Sequence, residues 1–188
     1  GTGRVALDAN YIGGNGGSTL KIGGTLTNTS TDANALNIGN VSIKADTTVT
    51  ATRLSNSGQI NITGSATARA ALIVDSTAGF GTDGSQTGVV YLQNNALLQF
   101  AGSQIDNIKG TLWLDGKDAR VAVSSAPSSN SALNELYLVT GSFNLQNGAT
   151  VGQLSTGLTI SGTGRVAVDA NYIGGAGGIR TNVDGATP

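Results

Sequence analysis

The chain has no cysteine, no histidine and no methionine. Without cysteine there is neither a disulfide framework nor a thiolate metal site. Without histidine the commonest general base and the commonest metal ligand are missing. Charge is scarce too: charged residues make up 11% of the chain, well below the usual quarter. With a net charge of −1 and a pI of about 5.1, there is no basic surface to neutralise a phosphate backbone, which argues against nucleic acid as a partner. No apolar run approaches the roughly 18 residues of a membrane helix, so no membrane insertion of this segment is expected. No secretory signal stands at the first residues, and the chain reads as a segment from within a longer protein. Catalysis would have to rest on carboxylates, tyrosine, lysine or serine, and Glu135 is the single glutamate among scattered aspartates.

What is present is glycine, at 29 positions, with serine, threonine and asparagine filling much of the remainder. Apolar residues make up 38%, too many for a disordered linker. The organising feature is a long repeat. Gly1-Thr-Gly-Arg-Val-Ala-Leu-Asp-Ala-Asn-Tyr-Ile-Gly-Gly-Asn-Gly-Gly17 returns 161 residues later as Gly162-Thr-Gly-Arg-Val-Ala-Val-Asp-Ala-Asn-Tyr-Ile-Gly-Gly-Ala-Gly-Gly178. Leu7 becomes Val168 and Asn15 becomes Ala176; the rest is identical. Residues 1–161 therefore read as one block and 162–188 as the start of the next copy.

Short alternating runs recur along the block: Leu20-Lys-Ile22, Leu36-Asn-Ile38, Val41-Ser-Ile43, Ile60-Asn-Ile62, Leu112-Trp-Leu114, Phe143-Asn-Leu145 and Leu158-Thr-Ile160. Each is a period-two signal for a short strand with one buried face. Residues between them supply turns. Ser131 to Val139 reads either as one helical turn or as a strand at Tyr137-Leu-Val139. A pattern of Gly, any residue, apolar, polar, apolar opens at Gly58, Gly110 and Gly141, and Arg begins strand-like runs at Arg4, Arg69, Arg120 and Arg165. Irregular spacings of about 16 to 31 residues suit coils of a solenoid with loops of varying length. The expected fold is all-β, a right-handed parallel β-helix of about seven coils per block at roughly 20 to 25 residues a coil. Antiparallel β-sandwich repeats are the alternative, disfavoured by aromatics at 4% and only two prolines.

Leu54-Ser-Asn-Ser-Gly-Gln-Ile-Asn-Ile-Thr-Gly64 and Leu26-Thr-Asn-Thr-Ser30 resemble the leucine-x-asparagine-x-glycine coils of filamentous haemagglutinin-type exoproteins and autotransporter passengers, and Gly141 to Val151 is similar to autotransporter-associated strand repeats. The resemblance implies a parallel β-helix, export to a bacterial surface through the outer membrane, and a part in adhesion or biofilm, or in holding an adhesive tip away from the cell. The 161-residue repeat departs from the short repeats usual in those families.

Candidate chemistry is thin. Asp115-Gly-Lys-Asp118 with Arg120 reads as a turn with local charge balancing, and Trp113, alternating with Leu112 and Leu114, points to the opposite face from them. Trp113, Asp115 and Asp118 form the candidate ligand contact of a carbohydrate-binding or polysaccharide-degrading β-helix, with a host or surface glycan or protein as partner. The first expectation is a non-catalytic rod or stalk whose partners are neighbouring repeats; a variant of it joins uncapped solenoid ends into a filament. No cofactor is expected. Calcium is the one ion weighed, at Asp115 to Asp118, at Gly81-Thr-Asp-Gly84 and at Gly13 to Gly17, and none of these has the spacing of an EF-hand loop or the Asp of a β-roll. The glycine cluster lacks the following helix of a phosphate loop. Thr25-Leu-Thr27 and Thr48-Val-Thr50-Ala-Thr52 do not recur at a coil period, as an ice-binding face would require. Arg4 with Asp8 and Arg165 with Asp169 are expected on the solvated side of their strands, tying neighbouring coils. Tyr11 and Tyr172 are expected to be partly buried, and the sequons at Asn28, Asn40 and Asn61 to mark the surface.

Overall fold

The computed structural model describes residues 1–76, 80, 84–102 and 105–170. Tyr172, the rest of the second glycine cluster, and residues 81–83 of the Gly81–Gly84 loop lie outside them. The chain winds in successive coils. The first holds β1 (Val5–Leu7) and β2 (Thr19–Asn28), the second β3 (Leu36–Ile38) and β4 (Thr47–Asn56). The third holds β5 (Gln59–Thr63), β6 (Ala70–Val74) and β7 (Ser85–Gln86), and the fourth β8 (Val89–Gln93), β9 (Ala96–Phe100) and β10 (Asn107–Ile108). The fifth has β11 (Thr111–Asp115), β12 (Arg120–Val123) and β13 (Leu138–Val139). The sixth has β14 (Ser142–Gln146) and β15 (Thr159–Ile160), and β16 (Arg165–Val168) opens the seventh.

Equivalent strands stack into three sheets: a seven-stranded one, β1-β3-β5-β8-β11-β14-β16; a five-stranded one, β12-β9-β6-β4-β2; and a four-stranded one, β15-β13-β10-β7. Every strand pairing among the described residues is parallel. This is a parallel β-helix, and the antiparallel sandwich is set aside.

Alternation fills the interior. In the seven-stranded sheet one inward column runs Val5, Leu36, Ile60, Val90, Leu112, Phe143, Val166. Ile60, Val90 and Leu112 are completely buried, whereas Val5 is 46% exposed at the open first coil. The five-stranded sheet adds Leu20, Val49, Leu72, Leu98 and Val121 as a second inward column. Identical faces stacked at about 4.8 Å let each aliphatic side chain pack on its counterparts above and below.

Two features explain the motifs. Leu54, Asn56 and Gly58 have separate tasks: Leu54 enters the core, and Asn56 accepts from Asn28 Nδ2 at 2.8 Å while donating to the Thr87 carbonyl at 3.1 Å and the Gly58 carbonyl at 3.2 Å. This is a buried amide ladder at the corner entering the seven-stranded sheet. Asn56→Ala takes one partner each from the Asn28 amide and the Thr87 carbonyl, which keep the Gln59 carbonyl and Gln86 Nε2, and is expected to cost about 1–2 kcal/mol, read as a lower urea midpoint at unchanged slope. The glycine pattern marks the same corner: Gly58, Gly110 and Gly141 each precede a strand of this sheet, and so does Gly88, whose Gly88-Val-Val-Tyr-Leu92 fits the pattern equally.

Several expectations change. The 161-residue offset spans six coil steps of this sheet, not about seven, because the loops are longer than estimated. Val41-Ser-Ile43 is a turn: Asn40 Oδ1 accepts the Ser42 amide at 2.7 Å, which leaves Val41 exposed and Ile43 buried. Ser131 to Val139 holds both readings, a 3₁₀ turn at Ser131–Leu133 and then β13. Asn130 Oδ1 and Ser131 Oγ accept the Val121 and Val123 amides and so cover the edge of β12, the last strand of its sheet. Arg120 begins a strand of the five-stranded sheet, so it is no relative of Arg4 and Arg165. The sequon residues Asn28 and Asn40 are buried, with their amides donating to Asn56 and Gln59 and to the Asp8 and Gly14 carbonyls. Tyr11 is 53% exposed.

Candidate functional site

The outer face of the seven-stranded sheet carries the chain's candidate ligand residues. Alternation turns the column Ala6, Asn37, Asn61, Tyr91, Trp113, Asn144, Ala167 outward. The amides at its start are chained: Asn61 Nδ2 donates to Asn37 Oδ1 at 3.1 Å and Gln59 Nε2 to Asn61 Oδ1 at 2.8 Å. Tyr91 and Trp113 follow, with ring centroids 5.3 Å apart and planes at 87°. An edge-to-face pair of this kind locks both rings. Ala167 and Ala170 pack against Trp113, so the indole is half-buried and does not lie as a flat open platform.

Asp115 lies two residues on, at the end of β11, in the next outward column with Gln93 and Gln146. Its carboxylate is buried and accepts from Tyr91 Oη at 2.7 Å, Gln93 Nε2 at 3.1 Å and Asn147 Nδ2 at 2.6 Å. Burial alone would push this carboxyl up, but the hydrogen bonds from Asn147, Tyr91, Gln146 and Gln93 outweigh it and hold it below the ordinary aspartate value. Burial, together with the same contact to Asp115, pushes the Tyr91 phenol up. Asp115 thus stays ionised and clasps the fourth, fifth and sixth coils together.

Gly116 takes a left-handed conformation, φ 113°, and turns the chain away from this face. Asp118 therefore sits around the corner, in contact with Lys117 and paired with Arg120 Nη2 at 2.9 Å. The Lys117 ammonium in particular holds its carboxyl low. A polar groove of about 930 Å³ runs along this corner, with Arg69, Asn94, Asp115, Lys117, Asp118 and Arg120 in its walls. The structure brings Trp113 and Asp115 onto one face and places Asp118 beyond the turn. Neither carboxyl is poised to give up a proton near neutral pH. No group of three or more His, Cys, Asp or Glu stands close enough to hold a metal ion among the described residues.

At the repeated position, Arg4 pairs with Asp32 of the following coil at 2.7 Å rather than with Asp8. Asp8 is buried at a left-handed corner, φ 50°, where it accepts from the Ser18 amide and Thr47 Oγ1. Tyr91, Gln93 and Asn147 escaped the sequence reading. The signal that could have found Tyr91 is the unrecognised Gly88 pattern, which sets it one coil from Trp113.

Comparison with protein families, with curated proteins and with solved structures finds no match. No helix among the described residues is long and apolar enough to cross a membrane.

Proposed function

We propose that the chain is a non-catalytic structural block of a β-helical rod within a large secreted bacterial surface protein, acting as an adhesive surface or as the stalk of one. One observation carries the reading. The 161-residue offset is also six whole coil steps, and it returns Val166 to the column that Val5 began. Asp8 and Asp169 adopt the same left-handed corner, φ 50° and 44°. A further copy can therefore continue the seven-stranded sheet with no break in register, which is what a rod of tandem blocks requires. The roles found for Leu54, Asn56 and Gly58 support the kinship with exported β-helices that their spacing suggested. The saturated Asp115 and the ion-paired Asp118 support a structural reading of the polar cluster over catalysis.

The rod is tested by joining one, two and three blocks in frame and measuring small-angle scattering. Each added block is expected to lengthen the particle by about 29 Å at constant cross-section, from six steps of about 4.8 Å. A maximum dimension that fails to grow linearly with block number would sink the reading.

A further inference from the structure

The corner between the seven-stranded and the five-stranded sheet changes length from coil to coil. It runs over residues 39–46 in the second coil, 64–69 in the third and 116–119 in the fifth, but in the fourth only Asn94 and Asn95 join β8 to β9. Glycine closes on this short corner from both sides: a Cβ on Gly64 would overlap the Asn95 carbonyl, and one on Gly116 would press on the Asn94 backbone. The longer corners stand out to either side, and the polar groove of about 930 Å³ is the notch between them. Its walls belong to coils two steps apart, about 10 Å, a gap of one missing layer that admits a single extended chain.

The notch is cationic in a chain of net charge −1. Arg69, Lys117 and Arg120 line it against Asp115 and Asp118. Asp115 is buried and accepts from Tyr91, Gln93 and Asn147, while Asp118 is shared between Lys117 and Arg120. Arg69 has no carboxylate of its own. Its Nε donates to Asn95 Oδ1 at 3.4 Å, and Asp46 accepts its backbone amide at 2.7 Å rather than its guanidinium. The other guanidinium N–H groups of this half-buried side chain have no ion-pair partner among the described residues. On the floor, Asn94 Nδ2 donates to the Gly64 carbonyl at 3.3 Å, which leaves Asn94 Oδ1 to accept and Asn95 Nδ2 to donate. Among the described residues the lining offers only Val41 and Ala66 as apolar side chains.

We propose that this notch binds a carboxylate-bearing glycan, with a uronate carboxylate held by Arg69 and Lys117 from the facing walls and ring hydroxyls on Asn94 and Asn95. The planar fork of a guanidinium matches a carboxylate with two parallel hydrogen bonds. A sugar hydroxyl both donates and accepts, and so does a carboxamide. An acidic peptide would bring the same charge, but the lining has almost no apolar surface for its side chains. The site differs from the ligand contact expected at Trp113 and Asp115: the indole is half-buried against Ala167 and Ala170, and the carboxylate already has its donors. The proposal goes beyond the rod, whose register does not depend on any ligand.

Titration calorimetry of the full chain with oligogalacturonate tests it, with the methyl-esterified oligomer and oligoglutamate as comparison ligands. The acid form is expected to bind, more weakly as salt is added. The ester, which keeps the sugar and loses the charge, and the peptide, which keeps the charge and loses the hydroxyls, are each expected to bind about tenfold more weakly or worse. Arg69→Gln is expected to weaken binding of the acid form about tenfold. Asp118→Asn removes the carboxylate that competes for Lys117 and Arg120, and is expected to tighten binding about threefold. A loss could follow from misfolding, but a gain could not, so the two variants together locate the site. An ester that binds as well as the acid overturns the proposal, and oligoglutamate binding as tightly overturns the glycan in favour of an acidic peptide. Binding that neither variant moves places the ligand elsewhere and overturns the notch. If the parent chain does not bind the acid form, the glycan is wrong while the rod, read by scattering, stands.

Discussion

Gly110→Ala is expected to cost about 3 kcal/mol and to lower the melting temperature by about 6–12 °C. The reason lies in the corner that precedes each strand of the seven-stranded sheet. Gly58, Gly88, Gly110 and Gly141 hand carbonyl oxygens upward: Val89 donates to Gly58, Thr111 to Gly88, Ser142 to Gly110 and Arg165 to Gly141, each at 2.8 Å. A Cβ on Gly110 would overlap the Gly88 carbonyl oxygen, and one on Gly141 would overlap that of Gly110. These are backbone atoms inside a stacked ladder, so relief requires separating two coils and weakening bonds on both sides. The same substitution at Gly3, in open space, is expected to shift stability by no more than about 0.5 kcal/mol. Thermal unfolding of the two variants beside the parent chain checks the contrast. Comparable losses at the two positions would mean that glycine serves chain flexibility here rather than close approach.

That row also shows how far the sequence could be read. The glycine pattern at Gly58, Gly110 and Gly141 announced one strand type, because the need for close approach is local to a single residue. The alternation at Leu36 to Ile38 or Leu112 to Leu114 likewise declared its buried face. Val41-Ser-Ile43 misled because the alternation of apolar and polar residues does not reveal a turn: the Asn40 bond to the Ser42 amide bends the chain, so Val41 faces out and Ile43 faces in rather than sharing one face. Arg120 misled because an arginine before an apolar run marks a strand start without saying which sheet the strand joins. Coil length was underestimated because steps differ: Val90 pairs with Leu112 after 22 residues, but Leu112 with Phe143 only after 31, the longer coil holding the turn that covers β12. The polar cluster was hidden for the same reason. Tyr91 reaches Asp115 across 24 residues and Asn147 reaches it across 32, and no period in the sequence connects such distances before the register is known.

Asp115→Leu is expected to cost about 3 kcal/mol, because it removes the one buried carboxylate that accepts from the half-buried Tyr91 hydroxyl and Gln93 amide and from the exposed Asn147 amide, and so unties three coils at once. Asp115→Asn keeps the shape and some of the acceptor capacity, so a loss of about 1–2 kcal/mol is expected at neutral pH. The two carboxamide neighbours make charge the deciding factor: an ionised carboxylate accepts from all three donors, whereas an amide must turn its own NH₂ toward one of them. The folded state holds the Asp115 carboxyl below its unfolded value of about 3.9, so the folded state favours the ionised form. Its stabilisation is therefore complete above about pH 4 and is lost as pH falls through the lower folded value. The stability gap between the parent chain and Asp115→Asn should be widest at neutral pH and close below about pH 4. Asp8, Asp32 and Asp118, whose carboxyls are also held low, are present in both proteins and cancel in the difference. Urea unfolding of the pair from pH 7 to pH 2.5 measures the gap directly. A gap that stays constant across that range would show that Asp115 acts through shape alone and that the three-coil clasp is not electrostatic.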